Sequence, residues 1–212
     1  VLAVGTGQAI EIAKNGNADI LLVHDTAIEK EFVRKGYGIE RYDLMYNDFI
    51  IIGPIDSNYY CNSIEDVLLK IKNNNNIFLS RGDNSGTHNK EVSLWHEIKL
   101  NPKNFSTWYK KIGQGMGNTL IMANEMQAYT LIDRGTWIKF NKKEDLKIIC
   151  QNKPPLFNQY GIIAVNPNKH KKINYEWANT YIKWIISEKG KKLINSFNIS
   201  DQQLFFYNHQ KK

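Results

Sequence analysis

Short apolar runs rich in β-branched residues alternate along this chain with segments whose apolar positions recur every three or four residues. The runs Val1–Val4, Asp19–Val23, Phe49–Ile52, Ile77–Leu79, Ile148–Cys150 and Ile162–Val165 predict buried strands. Between the first two, Gln8–Asn15 carries Ile10 and Ala13 at helical spacing and stops at Gly16; Ala27–Lys35 repeats the pattern and stops at Gly36. A glycine there suits the left-handed residue that closes a helix. The repeating unit of strand, short polar loop, helix and strand predicts an α/β fold with a parallel sheet covered by helices. Further on, Trp177, Tyr181, Trp184 and Ile185 recur at helical spacing, which predicts an aromatic stripe turned into the core.

The alternation breaks twice. Gly53-Pro54 leads into a polar stretch and the run Asn73–Asn76, and Pro154-Pro155 precedes another apolar strand closed by Asn166-Pro167. The expected organisation is a discontinuous first lobe, residues 1–53 and 158–212, with a second lobe, 54–157, inserted into it. Two linking segments make a hinge, and a ligand cleft is expected between the halves.

Composition narrows the function classes. The 212 residues are 42% hydrophobic and 23% charged, an ordinary globular profile. Lys and Arg outnumber Asp and Glu by 28 to 21, a surface that attracts anions. The basic residues are spread out apart from Lys169–Lys172 and Lys211-Lys212, which argues against a nucleic-acid partner. No apolar run approaches the roughly 18 residues of a membrane span, so no stable membrane insertion is expected. Val1 opens inside an apolar run without an initiator methionine or signal peptide, and the chain reads as processed or truncated. Cys61 and Cys150 lack metal-ligand spacing; a disulfide and two buried thiols are equally open.

The chemistry lies in three glycine-hydroxyl loops. In SRGDNSGTH, Ser80 to His88, a strand turns into a helix, and Ser85 and Thr87 fall at its cap and first turn. Helix N-termini carry unpartnered N–H groups and the positive end of the dipole, so an anion is the natural occupant. Gly86 lets the backbone come close, Ser85 and Thr87 add hydroxyls, and Arg81 adds a permanently charged fork. Asp83 is expected to hold that fork while turned away from the anion. VGTGQAIE places Thr6 and the amides of Gly7 and Gln8 at another helix start, in the first lobe; the two clusters would face each other across the hinge. GQGMGNTL adds Asn118 and Thr119, although a tight turn capped by Asn118 explains it equally well. Asp133-Arg134-Gly135-Thr136 is a further cap candidate.

Catalytic signatures are lacking. The five histidines form no metalloprotease motif and no serine sits in a nucleophile elbow. His88 could reach a ligand but reads more readily as a helix-surface residue, and His24-Asp25 reads equally as a strand terminus with an Asx turn.

The stretches VGTGQAIE, ADILLVH, YNDFIIIGP, SRGDNSGTH, GQGMGNTL, AYTLIDRGT and FNQYGIIAVNP, in this order, resemble the tungstate-binding proteins of ABC importers. That resemblance, running from Val1 to about Phe206, implies a type II periplasmic-binding fold of two α/β lobes around a hinge and a non-enzymatic role. It implies capture of tungstate or molybdate, no cofactor, an ABC permease as partner, a monomer, and a periplasmic or lipid-anchored location. Arg81, Ser85, Gly86 and Thr87 would bind the oxyanion, with Thr6 answering from the other lobe. Family members also carry an N-terminal strand and a threonine- and serine-rich loop ahead of the position of Val1, so the first lobe is expected to lack a central strand. The alternatives are a phosphate- or molybdate-binding protein of the same fold, with Asp25 as acceptor for a protonated phosphate, or a ligand-sensing regulatory domain.

Overall fold

The computed structural model describes residues 1–83, 85–141 and 143–210. In chain order the elements are α1 (Thr6–Lys14), β1 (Ile20–Val23), α2 (Thr26–Arg34), β2 (Gly38–Pro54), α3 (Ile64–Asn73), β3 (Phe78–Ser80) and α4 (Gly86–Glu97). A 3-10 turn at Pro102–Asn104 leads to β4 (Tyr109–Lys111), α5 (Met116–Met126), β5 (Tyr129–Asp133), α6 (Arg134–Lys139), β6 (Leu146–Cys150) and β7 (Phe157–Val165). The chain closes with α7 (Tyr175–Ile185), α8 (Glu188–Asn195), β8 (Asn198–Ile199), β9 (Gln202–Gln203) and β10 (Phe206–Tyr207).

Two compact units emerge. The first is Val1–Asn47 with the chain from Asn158 onward, and the second is Asp48–Phe157. The first crossing falls at Asn47/Asp48, inside β2, and not at Gly53-Pro54. Gly53 and Pro54 still belong to the 17-residue β2, so the breaker pair ends a strand.

In the first unit β7 lies between β1 and β2 in sheet order, and β10 pairs with β2. The two-residue period of a strand sends alternate β7 side chains to opposite faces. Ile163 and Val165 pack with Ile10, Leu21, Val23 and Phe32. Ile162 and Ala164 pack with Leu44, Ala178, Ile182 and Ile185. The second unit uses the same device on β2, where Phe49 and Ile51 enter one cluster and Ile50 and Ile52 the other.

The sheets are mixed, whereas the strand-helix alternation predicted parallel ones. β1 runs antiparallel to β7, and β2 antiparallel to β5 and β6. β3 pairs in parallel with both β4 and β5. β2, whose residues belong to both units, meets β5 and β6 in the opposite sense.

Two further expectations change. Val1–Val4 forms no strand; it leads into α1 with Val1, Leu2 and Val4 exposed. Of the α7 stripe only Ile185 is buried as expected: Trp177, Tyr181 and Trp184 are 71%, 44% and 41% exposed, and Ala178 and Ile182 take the core positions beside Ile185. Both faces of α7 are apolar, and the smaller side chains fit the close approach to β7. Cys61 and Cys150 form a disulfide within the second unit, which closes the question their spacing left open.

Candidate functional site

Parallel strands deliver their C-terminal ends, and the loops that follow, to one edge of a sheet. β3 and β4 are such a pair, with Ser80 opposite Lys111. The loop after β3 carries Arg81, Asp83 and Ser85 into α4, and the loop after β4 carries Gly113 and Gly115 into α5. The two loops touch at their roots, where Ile112 N–H donates to the Ser80 carbonyl at 3.0 Å. Gly82 is required there: its φ is +65°, and a Cβ would come within 2.8 Å of the Lys111 Cβ.

Helix caps single out the same places. Among the described residues, side chains cap α2, α3, α4, α6, α7 and α8. By contrast, α1 and α5 begin at Gly5 and Gly115 with no side-chain cap. Neither these two helices nor α4 has an acidic residue in its first turn. The N-terminal N–H groups and dipoles of α1 and α5 are therefore left for an outside anion, as are those of α4 that the Ser85 cap does not take.

Within the β3–α4 loop, Arg81 is mostly buried and donates from Nη2 to Asp83 Oδ2 at 2.5 Å. Its Nε is buried and has no hydrogen-bond partner among the described residues. A buried guanidinium donor without an acceptor is costly unless something external takes it. Asp83 also accepts from Ser85 Oγ at 2.6 Å and Ser85 N–H at 3.2 Å. Burial opposes ionisation of Asp83, but the hydrogen bonds from Ser85 and the Arg81 guanidinium prevail and hold its carboxyl below the usual range. Asp83 thus acts as the expected holder of the fork.

Ser85 differs from expectation. Its oxygen accepts from His88 N–H at 3.2 Å while its hydrogen goes to Asp83, so Ser85 organises the loop instead of offering a free hydroxyl. Gly86 and Thr87 occupy the first two positions of α4, ahead of its first backbone-to-backbone bond, Asn89 N–H to Ser85 O. Asn84 lies outside the described residues.

The third loop is also corrected. The cap of α5 is Gly115, not Asn118, whose exposed amide reaches Gln114 Oε1 at 3.0 Å. Thr119 is fully buried and donates its hydroxyl to Gly115 O at 3.0 Å. The Thr119 hydroxyl is thus committed to the helix backbone, and the exposed Asn118 amide has one hydrogen engaged with Gln114.

In the first unit, Thr6 opens α1, and its Oγ1 is buried with no partner among the described residues. Gly7 follows, exposed, with nothing within 4 Å of an added Cβ, so its contribution would come through its N–H. Asp25 caps α2 by accepting from Ile28 N–H at 3.1 Å. Asp133 caps α6, and Arg134 instead clamps Asp48 with two bonds of 2.6 Å.

Sequence reasoning missed the buried support beneath the Arg81 loop. Glu91, 3% exposed, accepts from Ser80 Oγ, from Trp95 Nε1 at 2.9 Å and from Tyr109 OH at 2.7 Å. His88 Nδ1 lies 3.1 Å from Ser80 Oγ, so His88 belongs to this network and not to an exposed helix face. Burial, and then the neighbouring Glu91 charge, push the Tyr109 phenol upward, which keeps it a donor. The only trace in the sequence is a glutamate four residues before Trp95 on an otherwise apolar face.

Parallel strand ends that bring an arginine and glycine-hydroxyl loops to two helix starts define an anion-binding α/β protein. Residues 1–189 match the PBP superfamily domain. Tungstate-binding protein TupA of Peptoclostridium acidaminophilum is 48% identical over 202 residues, which is 93% of this chain and 70% of that protein. Its namesake in Campylobacter jejuni is 41% identical over 210 residues, covering 96% and 78%. The solved tungstate-binding protein TupA from Desulfovibrio alaskensis G20 aligns with a TM-score of 0.93 at 42% identity, covering 99% of this chain and 86% of that one. The chain belongs to the PBP superfamily, with the type II periplasmic-binding fold, and within it to the TupA family.

Proposed function

We propose that this chain captures tungstate outside the cytoplasm and hands it to the permease of an ABC importer. The carrying observation is the Arg81 Nε, a buried charged donor without an acceptor among the described residues, at the C-terminal ends of β3 and β4. Gly86, Thr87 and the uncapped start of α5 surround the same strand ends with backbone N–H groups. Hydrogen bonds to a charged group contribute about 1.5–3 kcal/mol each, so a handful offsets the loss of hydration of a dianion. Thr6 and Gly7 form a second donor set in the first unit. The relatives named as tungstate-binding proteins support the choice of anion.

Two features support the finer reading. The Cys61–Cys150 disulfide suits an oxidising, extracytoplasmic compartment. Asp25, the candidate acceptor for a protonated phosphate, has its Oδ1 engaged as the α2 cap. The protein works as a monomer in this reading and carries no catalytic function. Among the described residues no group of three or more His, Cys, Asp or Glu side chains could hold a metal, and no helix is long and apolar enough to cross a membrane.

A competition titration with tungstate, molybdate, sulfate and phosphate tests the proposal. Tungstate or molybdate should bind at least tenfold more tightly than sulfate and phosphate; preferential phosphate binding would overturn the reading.

A further inference from the structure

Around the Arg81 loop the fixed charges do not balance. One guanidinium meets two carboxylates: Asp83 in the loop itself, and the buried Glu91, one helical turn beyond Thr87 on α4. Other cations at these strand ends face elsewhere. Lys111 packs its Cβ against Gly82 but is exposed, and Lys90 on α4 answers to the charge of Glu97. Tyr109 contributes a neutral donor. A loop suited to a dianion therefore carries a net negative charge before the anion arrives.

His88 is the side chain placed to correct this. It follows Thr87 in the first turn of α4, with its ring mostly buried. Hydrogen-bond donors and acceptors fix what each ring nitrogen does. Ser80 gives its hydroxyl hydrogen to Glu91 Oε2 at 2.5 Å, so at its 3.1 Å contact with His88 Nδ1 the serine oxygen accepts, and Nδ1 carries a hydrogen. Glu91 Oε1 is filled by Trp95 and Tyr109, and Oε2 lies 3.4 Å from the same Nδ1. The imidazole is thus anchored through Nδ1. A further proton goes to Nε2, which has no partner among the described residues.

We infer that oxyanion capture at this loop is coupled to proton uptake, with His88 Nε2 taking the proton and the Glu91 carboxylate as its fixed countercharge. Both Glu91 and a dianion held at the start of α4 attract a positive ring, so proton and anion each favour the binding of the other. The proton comes from solvent and stays on the imidazole, and no bond of the anion changes. This coupling rests on the reading of the β3–α4 loop as an anion site and adds up to one proton for each anion bound.

Calorimetric titration of tungstate at about pH 7 in Tris and in PIPES measures the proton directly, because the observed heat shifts with the ionisation heat of the buffer for each proton taken up. Wild type should show uptake, and its affinity should rise as pH falls from about 8 to about 6.5, by up to about tenfold per unit. His88→Asn keeps an amide donor for Ser80 but has no site for a proton; it should give the same heat in both buffers and no pH slope. His24→Gln should retain both effects. In wild type, tungstate should also move the ¹⁵N signals of both His88 ring nitrogens to the imidazolium position, a readout that needs no variant. Tungstate binding with buffer-independent heat in wild type would overturn the coupling alone, as would undiminished uptake in His88→Asn. Failure of tungstate, molybdate, sulfate and phosphate alike to bind would overturn the anion reading of the loop and the coupling with it.

Discussion

Asp83 takes the Arg81 guanidinium through Nη2, while Nε of the same side chain remains buried with no acceptor among the described residues. The carboxylate fixes the direction of the fork without using all of it. It also draws the Ser85 hydroxyl and N–H toward itself, so one acidic side chain shapes the whole turn between β3 and α4.

Removing this acid separates two electrostatic arguments. If charge alone mattered, Asp83→Ala would tighten binding of a dianion. Because Asp83 orients Arg81, we expect affinity to weaken by roughly tenfold, about 1.4 kcal/mol. Isothermal titration of tungstate into the variant decides the sign.

Glu91 serves three donors at once, so its loss strands them. Glu91→Leu leaves the Ser80, Trp95 and Tyr109 donors without their acceptor, at about 1–3 kcal/mol for each buried group left unpaired. The expected outcome is a total loss of about 3–5 kcal/mol in denaturant unfolding, with Glu91→Gln less severe because it retains one acceptor oxygen. Equal stability of Glu91→Leu and wild type would show that this network contributes nothing.

The pH dependence of stability has a worked sign at His24. Burial lowers its pKa below 6.5 and outweighs the hydrogen bond to Asn158 and the charge of Asp25. The folded form binds the proton less readily than the unfolded chain. Its contribution is therefore complete above about pH 6.5 and is lost as pH falls toward the folded pKa, with a slope of up to about 1.4 kcal/mol per pH unit. Glu29 is raised, chiefly by burial, and acts in the opposite direction at lower pH. The difference between wild type and His24→Gln in melts from pH 8 to about 5.5 isolates the histidine; parallel curves would remove it from the account.

The Cys61–Cys150 bridge ties residues 89 apart within the second unit. Replacing both cysteines by serine should cost about 2–5 kcal/mol, read as a lower urea midpoint. The oxidised wild type should show no reaction with thiol reagents while folded.

Much of the architecture could be read from the pattern, and the failures have physical causes. β1, β3, β6, β7 and the glycines closing α1 and α2 lie within a few residues of their apolar runs, because those runs are short and sharply bounded. The first half of β2 was hidden by Glu40, Arg41 and Asp43. Arg41 is only 10% exposed because it pairs with the fully buried Glu29, a contact between α2 and β2 that no local pattern reports. The aromatic stripe misled because size suggested burial, while Ala178 and Ile182 fit the sheet more closely. At the site, Arg81, Asp83 and Ser85 were legible as a loop opening a helix, but the split of roles among them depends on hydrogen bonds. Thr119 was lost for a similar reason, since its hydroxyl bonds the carbonyl one turn back.

The most direct measurement is calorimetric titration of tungstate into wild type and Arg81→Ala at one ionic strength. Loss of a buried charged donor should weaken binding by about 2–5 kcal/mol, a factor of tens to thousands, with the melting temperature of the ligand-free protein nearly unchanged. Equal tungstate affinity in the two proteins would contradict the assignment of Arg81, and with it the account of the β3–α4 loop as an anion site.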